Sequence, residues 1–458
     1  QSAGVSTIYE NGTWRGEILG LEVVRLEGEN IQIGVGRFDR EAGELLNYEK
    51  SRSDQLVAAS NQVRSQRNAE AGSHPLATLA RERWLRHSLL EEPSLVELTD
   101  LEPIDLVHER ENLRDPFFIY KPKNLKESVN YFIKNFSGET LYAVKANPSE
   151  FILKEIYEQG IRSFDVASIN EIKLVKTLFD NSKIYFMNPV KPRHVIDEAY
   201  HKYGVRHFSL DNDIELNKIV ESTGYAKDLN LHLRISVPNH FSKINLSKKF
   251  GIDGFKSKTL LKKIRKISKK IGVTFHLGSQ CMNPNAYKLA INKASLLIKE
   301  SNLDVDFFNI GGGFPAEYLG IKQQPLTKYF KVINTEFLKY FKNSKTKLLS
   351  EPGRVLVSNS MSLVVRVDLR KKNILYINDG THSFLRDAGE HGFIYPVKIF
   401  KKEEKSKLIP FSFYGPTCDS SDFMRGPFLL PESTNEGDYL EIEEMGAYSL
   451  SMKNNFNG

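Results

Sequence analysis

Three residues that can do chemistry lie at the ends of short apolar runs, where a fold could bring them together. They are Lys145, His276 and Glu351. A lysine at such a position is costly to bury in its charged form, so we predict for Lys145 a depressed pKa and Schiff-base chemistry. The alternative interpretation is a lysine whose ammonium group reaches solvent at the rim of the fold.

Eight apolar runs alternate with helical patterns after Pro116, which predicts βα units around a parallel sheet. The runs are Leu141–Lys145, Ser163–Ala167, Ile184–Asn188, His207–Leu210, Leu231–Val237, Val273–Leu277, Phe307–Ile310 and Leu348–Glu351. A helical pattern follows every run except the fifth. Eight units favour a (β/α)8 barrel of the TIM type over an open doubly wound sheet.

Polar or glycine residues end most of these runs. They are Lys145, Asp165, Arg234, His276, Gly311 to Gly313 and Glu351. The carboxyl ends of barrel strands meet on one face, where active sites of this fold are built. We therefore predict one active site on that face.

The run Gly311, Gly312 and Gly313 follows the seventh predicted strand. Residues without side chains let backbone N–H groups approach a phosphate, although a tight turn explains the run equally well. The loose dinucleotide pattern through Ala316 lacks the second strand and acid that a Rossmann site needs about 20 residues later. Arg354, shortly after Glu351, adds a guanidinium group that can pair with a phosphate.

Charge divides the 458-residue chain near Asp115. Residues 1–114 hold 12 Arg and 1 Lys against 20 acidic residues, whereas the remainder holds 51 basic and 37 acidic residues. We predict an α+β accessory module over 1–114, with a strand at Ile31–Val35 and helices at 54–69 and 75–90. The barrel is predicted over 115–360. A C-terminal β-sandwich or β-barrel domain is predicted over 361–458, together with a strand near 116–121, from the runs Leu363–Leu369, Ile374–Asn378, Tyr395–Phe400 and Tyr439–Glu443.

Composition excludes several classes of protein. The two cysteines, Cys281 and Cys418, cannot build a disulfide framework or a cysteine-based zinc site, so we expect a reducing compartment and no metal. No apolar run approaches the ~18 residues of a membrane span, although a leader could have preceded Gln1. The basic stretch 248–270 could bind nucleic acid, but Leu260, Leu261 and Ile264 recur at helical spacing and favour an amphipathic helix. We expect neither a nucleic-acid nor a membrane partner.

Seven motifs, taken in order, resemble the ornithine decarboxylase family. That family is the alanine-racemase-like, fold-type III group of pyridoxal-phosphate enzymes that decarboxylate basic amino acids. The motifs are Tyr142–Asn147, Phe164–Ser168, Phe275–Ser279, Gly311–Pro315, Glu351–Arg354, Tyr414–Asp419 and Met445–Tyr448. The resemblance extends from about Pro116 to Gly458 and leaves out residues 1–114.

The resemblance implies pyridoxal phosphate as cofactor and assigns residues to it. Lys145 would carry the cofactor, Glu351 would face its pyridine nitrogen, and His276 would stack on its ring. Its phosphate would be held by Ser279, Gly311, Gly312, Gly313, Arg354 and Tyr448, while Asp165 and Arg234 line the same mouth. Glu171 belongs to a capping box with Ser168, which we favour over a catalytic role.

The resemblance also implies an obligate homodimer, in which Cys418 and Asp419 reach the partner's site. Cys418 would protonate the substrate carbon after CO2 leaves, and Asp419 would bind the distal ammonium, with Phe456 in the same pocket. A lone cysteine is more often a buried apolar filler. Where the family has Tyr-Asp this chain has Gly389-Glu390, so Glu390 is the aligned second acid and Asp387 is the alternative.

We therefore expect a cytoplasmic, homodimeric decarboxylase of a basic L-amino acid, with ornithine giving putrescine for polyamine biosynthesis. Lysine, 2,4-diaminobutyrate and diaminopimelate are alternative substrates on the same scaffold. An inactive homologue that acts as a regulatory decoy is the non-enzyme alternative. Retention of Lys145, Cys418 and Asp419 argues against that alternative.

Overall fold

The chain divides into two compact units, Gln1–Glu92 and Pro93–Gly458. The structure is a computed structural model. It describes residues 114–238, 241–244, 249–321, 323–399, 406–454, 456 and 457, and the backbone of five strands nearer the N-terminus.

The first unit contains a four-stranded antiparallel sheet in the order β1-β2-β3-β4. Its strands are β1 Thr7–Glu10, β2 Thr13–Ile18, β3 Leu21–Glu27 and β4 Asn30–Gly34. The strand expected at Ile31–Val35 corresponds to β4. The helices expected at 54–69 and 75–90 lie outside the described residues.

The second unit begins with two strands and a helix that precede the barrel. Strand β5 Leu95–Glu97 pairs in parallel with β6 Phe117–Tyr120, and α1 Pro122–Asn135 follows. Pro122 occupies the first helical position, where proline is pre-organised for a helix. Leu125, Val129 and Phe132 form the buried stripe of α1.

Eight parallel strands close into the predicted barrel, in the order β7-β8-β9-β10-β11-β13-β15-β16. They are β7 Glu139–Ala143, β8 Ser163–Val166, β9 Lys183–Phe186, β10 His207–Leu210, β11 Asn230–Arg234, β13 Lys270–Thr274, β15 Phe307–Asn309 and β16 Lys347–Ser350. Each contains or overlaps one of the eight predicted runs. Between them, β12 Ser242–Ile244 and β14 Ser279–Cys281 form a small antiparallel pair.

A helix follows every barrel strand. The helices are α2 Glu150–Glu158, α3 Ile169–Leu178, α4 Arg193–Asp197, α5 Asp213–Ser222, α6 Phe255–Ile267, α7 Asn285–Ser301, α8 Leu326–Phe341 and α9 Arg354–Val357. The expectation that the fifth strand lacks a helix is wrong, because α6 follows it. The long connection 235–254, which contains β12, separates the two and obscures the pairing in the sequence.

Helix α6 confirms the amphipathic interpretation of the basic stretch. Leu260, Leu261 and Ile264 are buried. Lys258 and Lys263 pair with acids on neighbouring helices, Glu300 and Asp213. The lysines therefore lie on the solvent-exposed face of a barrel helix.

The C-terminal part is a mixed sheet that β6 joins. Its strands are β17 Met361–Lys371, β18 Ile374–Ile377, β19 Val397–Ile399, β20 Leu408–Tyr414, β21 Phe423–Pro431 and β22 Tyr439–Ile442, in the order β19-β22-β17-β18-β20-β21. Strand β6 pairs antiparallel with β17. A short helix, α10 Arg386–Glu390, lies between β18 and β19.

Aromatic and histidine rings lie at the amino-terminal half of the barrel. Nδ1 of His207 and Nε2 of His232 are 3.0 Å apart, and Tyr185 and Phe307 pack against both rings. Burial lowers the pKa of His207 to about 2 and that of His232 to about 3. The pair therefore fills the barrel in its neutral form.

No helix in the part of the chain that the structure describes is long and apolar enough to cross a bilayer.

Candidate active site

Lys145 lies in a short turn directly after β7. Its Nζ is 3.2 Å from Oδ2 of Asp165, which β8 presents from inside the barrel. Burial lowers the pKa of Lys145, but Asp165, with smaller contributions from Tyr448 and Glu351, outweighs burial and raises the pKa above its ordinary value. The predicted depression of this pKa is therefore wrong, because Asp165 stabilises the ammonium form.

A depressed lysine pKa occurs instead at Lys191, which the sequence did not single out. Lys191 is 1% exposed in the loop after β9. Its Nζ lies 3.0 Å from Oε1 of Glu215 and donates to the carbonyl of Ser209 at 2.6 Å. Burial lowers its pKa to about 8, although Glu215 opposes that effect. These contacts join the loop after β9 to strand β10 and helix α5.

Glu351 directly follows β16 and is 3% exposed. Burial and the negative charge of Asp165 raise its pKa to about 8, whereas Lys145 and Arg234 lower it. Its Oε1 accepts a hydrogen bond of 2.7 Å from Nδ2 of Asn309. The site therefore places an acid, an amine and a second acid within one electrostatic cluster.

His276 and Arg234 complete the mouth of the barrel. Burial, together with the charges of Arg234 and Lys145, lowers the pKa of His276 well below its usual value. Its Nδ1 accepts from the backbone N–H of Gly278 at 2.9 Å. The imidazole is therefore neutral, with its proton on Nε2. Arg234, 8% exposed, has its pKa lowered by burial, while Glu351 and Asp165 oppose that effect.

The glycine run after β15 cannot carry side chains. A Cβ at Gly312 would lie 2.5 Å from the carbonyl oxygen of Glu351 and 3.1 Å from Nε2 of His276. A Cβ at Gly313 would lie 2.5 Å from the carbonyl of Gly278, and the φ of Gly313 is +101°. The chain therefore passes close to the other site segments at a place where only glycine fits.

Arg354, the first residue of α9, is 5% exposed and fully engaged by neighbours. Its guanidinium donates to Ser279 Oγ at 3.3 Å and to the Tyr318 hydroxyl at 2.9 Å, and it lies 2.8 Å from Oδ2 of Asp387. It also stacks 4.6 Å from the ring centre of Tyr448. The structure thus brings Ser279, Arg354 and Tyr448 together as the resemblance implied.

The C-terminal motif docks directly beside Lys145. The backbone N–H of Tyr448 donates to the carbonyl of Ala146 at 2.8 Å. Nδ2 of Asn147 donates to the carbonyl of Gly446 at 2.9 Å. Tyr448 has a φ of +59°, an uncommon conformation for a residue with a side chain. These contacts hold its ring against Arg354.

The two candidate acids on α10 lie in different environments. Asp387 is 3% exposed, and its carboxylate pairs with Arg354. The side chain of Glu390 is 50% exposed and pairs with Arg386 at 2.7 Å. The hydrogen bond from Arg386 lowers the pKa of Glu390. The carboxylate of Asp387 is therefore paired with Arg354, whereas Glu390 lies at the surface of the single chain.

Cys418, Asp419 and Phe456 form a second cluster on the C-terminal sheet. Cys418 is exposed, and its Sγ donates to Oδ1 of Asn457 at 3.4 Å. Oδ2 of Asp419 is 3.1 Å from Nε2 of His382, whose ring centre lies 5.0 Å from that of Phe456. Within the described residues, no hydrogen bond or ion pair joins this cluster to Lys145 of the same chain. The filler interpretation of Cys418 does not fit its exposure.

Asp422 fixes the loop that carries Cys418. It is fully buried and accepts hydrogen bonds from the backbone and hydroxyl of Thr381, at 2.7 and 3.0 Å, and of Thr417, at 3.2 and 2.8 Å. Sequence reasoning missed Asp422, His382, Asn309 and Tyr318. Only Asn309, a polar residue within the predicted run Phe307–Ile310 and next to its end, had a positional signal that could have revealed it.

Ser168 caps α3 and Glu171 belongs to that cap, as the sequence indicated. Its backbone N–H donates to Ser168 Oγ at 3.3 Å, and its Oε2 accepts from the N–H of Ala167 at 2.6 Å. These two bonds satisfy N–H groups at the start of α3. Burial nevertheless raises the pKa of this carboxyl group.

The residues at the mouth of the barrel fit pyridoxal phosphate. Lys145 offers an amine for the aldehyde, Glu351 a carboxyl for the ring nitrogen, and the neutral ring of His276 a flat surface. The close-packed glycine run, Ser279, Arg354 and Tyr448 gather donors suited to a phosphate. No group of three or more His, Cys, Asp or Glu among the described residues is arranged to hold a metal ion.

Comparisons with known proteins identify the family of this chain. Residues 123–358 match the family model described as pyridoxal-dependent decarboxylase, pyridoxal binding domain. Antizyme inhibitor 2 of Xenopus laevis is 33% identical over 81% of this chain and 85% of its own length. Lysine/ornithine decarboxylase of Selenomonas ruminantium is 30% identical over 75% of this chain and 87% of its own. The solved lysine/ornithine decarboxylase of Vibrio vulnificus, complexed with putrescine, superposes with a TM-score of 0.67 and 27% identity, covering 79% of this chain and 96% of that one.

The family model ends at residue 358, before the C-terminal sheet, whereas the two relatives match 75% or more of this chain. Solved neighbours of this fold contain pyridoxal phosphate. The chain therefore belongs to the ornithine decarboxylase family of fold-type III decarboxylases, with pyridoxal phosphate as its cofactor.

Proposed function

We propose that this chain decarboxylates a basic L-amino acid, with ornithine as the preferred substrate and putrescine and CO2 as products. The observation that carries the proposal is the cluster of Lys145, Asp165 and Glu351 at one end of the barrel, with Nζ of Lys145 3.2 Å from Asp165. When bound, pyridoxal phosphate supplies an electron sink for the electron pair left when CO2 departs. The sink depends on a protonated ring nitrogen, which Glu351 would hold through its carboxyl group.

The residues at the mouth of the barrel are assigned to the aldehyde, the ring and the phosphate of the cofactor. Lys145 binds the cofactor aldehyde through Nζ, and Asp165 holds that nitrogen in place. His276 would cover the ring as a neutral imidazole, which adds no positive charge of its own against protonation of the ring nitrogen. Ser279, Arg354, Tyr448 and the glycine run hold the phosphate. Asp387, buried against Arg354, supports the arginine rather than the substrate.

The protonation step is assigned to Cys418, whose Sγ would deliver a proton to the substrate carbon. Cys418 is exposed and lies in a cluster separate from Lys145, which supports the proposal that each active site combines residues of two subunits in a homodimer. Asp419 would bind the distal ammonium beside Phe456, and Glu390 is the second acid. We place the enzyme in the cytoplasm, a reducing compartment, which its two free cysteines support. Its place in polyamine biosynthesis follows from the proposed product, putrescine.

The main rival is an inactive, regulatory homologue. The similarity to Antizyme inhibitor 2 supports this alternative. The presence of Lys145, Glu351 and Cys418 together supports the enzyme instead.

A product assay separates these functions. Purified protein with pyridoxal phosphate is incubated with ornithine, lysine, arginine and 2,4-diaminobutyrate, and CO2 and amines are measured. Ornithine should be turned over fastest, and Lys145→Ala should be inactive. Removal of residues 1–92, the first compact unit, tests whether that unit alters substrate choice. A wild-type protein that binds the cofactor but decarboxylates none of the four would contradict the proposal and favour the decoy.

A further inference from the structure

Asn309, the last residue of β15, holds two parts of the site with one side chain. It is 0% exposed. Its Nδ2 donates to Oε1 of Glu351 at 2.7 Å, and its Oδ1 accepts from the backbone N–H of Gly311 at 2.9 Å. The backbone N–H of Glu351 donates in turn to the carbonyl of Gly311 at 2.9 Å. Asn309, Gly311 and Glu351 therefore form a closed ring of hydrogen bonds.

The orientation of this amide follows from its neighbours. The N–H of Gly311 can only donate, so the oxygen of Asn309 faces it and the NH2 group faces Glu351. An amide can satisfy a backbone N–H and a carboxylate at the same time. A leucine of similar size can do neither.

The contact also acts on the charge of Glu351. Burial and Asp165 raise the pKa of this carboxyl to about 8, and the hydrogen bond from Asn309 is one of the effects that lower it. A donor on Oε1 favours the ionised carboxylate and leaves Oε2 available to another partner. Without Asn309 the carboxyl would be protonated over a wider pH range.

We propose that Asn309 is a positioning residue that orients the carboxyl group of Glu351 toward the pyridine nitrogen of the cofactor. The inference rests on the proposed role of Glu351 and deepens it. Asn309 itself acts through Glu351, and its bond to Gly311 couples the acid to the glycine run. Its loss should therefore weaken the part of cofactor binding that depends on the ring nitrogen.

The test compares two cofactors on cofactor-free protein. Wild type and Asn309→Leu are titrated with pyridoxal phosphate and with its 1-deaza analogue, in which carbon replaces the ring nitrogen, and dissociation constants are read from absorbance. Loss of a hydrogen bond to a charged group should raise the dissociation constant of pyridoxal phosphate at least about tenfold in Asn309→Leu. The dissociation constant of the deaza analogue should rise less than that of pyridoxal phosphate, because only the loss of the bond to Gly311 affects its binding.

Two control variants lie next to the proposed contact. Thr274→Val alters the residue that pairs with Asn309 in the adjacent strand, and Ser350→Ala alters the residue before Glu351. Both hydroxyls are buried without a hydrogen-bond partner among the described residues, so neither change should affect binding of either compound. Asn309→Ala removes the same two hydrogen bonds with less bulk and replaces the leucine variant if that variant does not fold.

The outcomes separate this inference from the proposed function. Equal losses for both compounds, or no loss for pyridoxal phosphate, would overturn the role of Asn309 alone. A wild-type chain that binds both compounds equally well would remove the role of Glu351 and the inference with it. Absence of turnover in a wild type that shows the expected cofactor discrimination would contradict the decarboxylase proposal and leave the role of Asn309 supported.

Discussion

Replacing Asp165 with asparagine should make Lys145 react faster with an aldehyde. The two charges are 3.2 Å apart. At that distance they attract by about 1.3 kcal/mol in water and about 5 kcal/mol at an effective dielectric constant of 20. The Lys145 side chain is 40% exposed, so solvent screens the pair and we take about 2 kcal/mol. Losing that energy raises the unprotonated fraction of Lys145 about 30-fold near neutral pH.

The assay is the rate at which cofactor-free protein captures pyridoxal phosphate, followed by stopped-flow absorbance between about pH 6 and 9. Asp165→Asn should be faster by about 30-fold throughout this range, because the amine stays largely protonated in both proteins. Glu150→Gln is a matched control, because Glu150 is an exposed acid that pairs with a different lysine, Lys154. Identical rate profiles for wild type and Asp165→Asn would refute the claim that Asp165 keeps Lys145 charged.

Three further predictions concern the histidine pair in the amino-terminal half of the barrel, the glycine run, and Glu390, the acid proposed to bind the substrate. Because burial lowers the pKa of His207 to about 2 and of His232 to about 3, the unfolded chain binds more protons below pH 6.5, so stability falls as the pH decreases. At pH 5 each histidine should lower the free energy of unfolding by about 2 kcal/mol relative to neutral pH. In urea unfolding, the variant with both histidines replaced by glutamine should not show this decrease in the midpoint. Gly312→Ala, with its Cβ 2.5 Å from a carbonyl oxygen, should weaken pyridoxal phosphate binding at least about tenfold in titrations, whereas unchanged affinity would exclude close packing there. Glu390→Ala should raise the KM for ornithine in steady-state assays, and an unchanged KM would remove Glu390 from the substrate site.

The barrel could be predicted because its strands are buried on both faces. Such strands appear as short, nearly continuous apolar runs, and all eight were found. Strands β20 and β21 were missed. Strand β20 contains Pro410 and strand β21 contains Gly426 and Pro427, residues that are depleted in strands. Their register also shifts between Phe411 and Phe413, which breaks the expected alternation.

The residues of the site could be predicted from the sequence, but their pKa changes and ion-pair partners could not. The motifs placed Lys145 and Glu351 on one face, yet the sign of the pKa change at Lys145 depends on Asp165, a neighbour 20 positions away whose distance no local pattern gives. The environments of Asp387 and Glu390 likewise depend on a turn of α10 that buries one and exposes the other. Asn309 and Asp422 act through contacts between separate segments, which appear only in three dimensions.

The central claim is that Lys145 is the residue that binds the cofactor. Wild-type protein loaded with pyridoxal phosphate is treated with borohydride, digested and analysed by mass spectrometry for the reduced pyridoxyl adduct. We predict the adduct on the peptide that contains Lys145. An adduct on Lys191, the buried lysine whose pKa is lowered to about 8, or on no barrel lysine at all, would contradict the account.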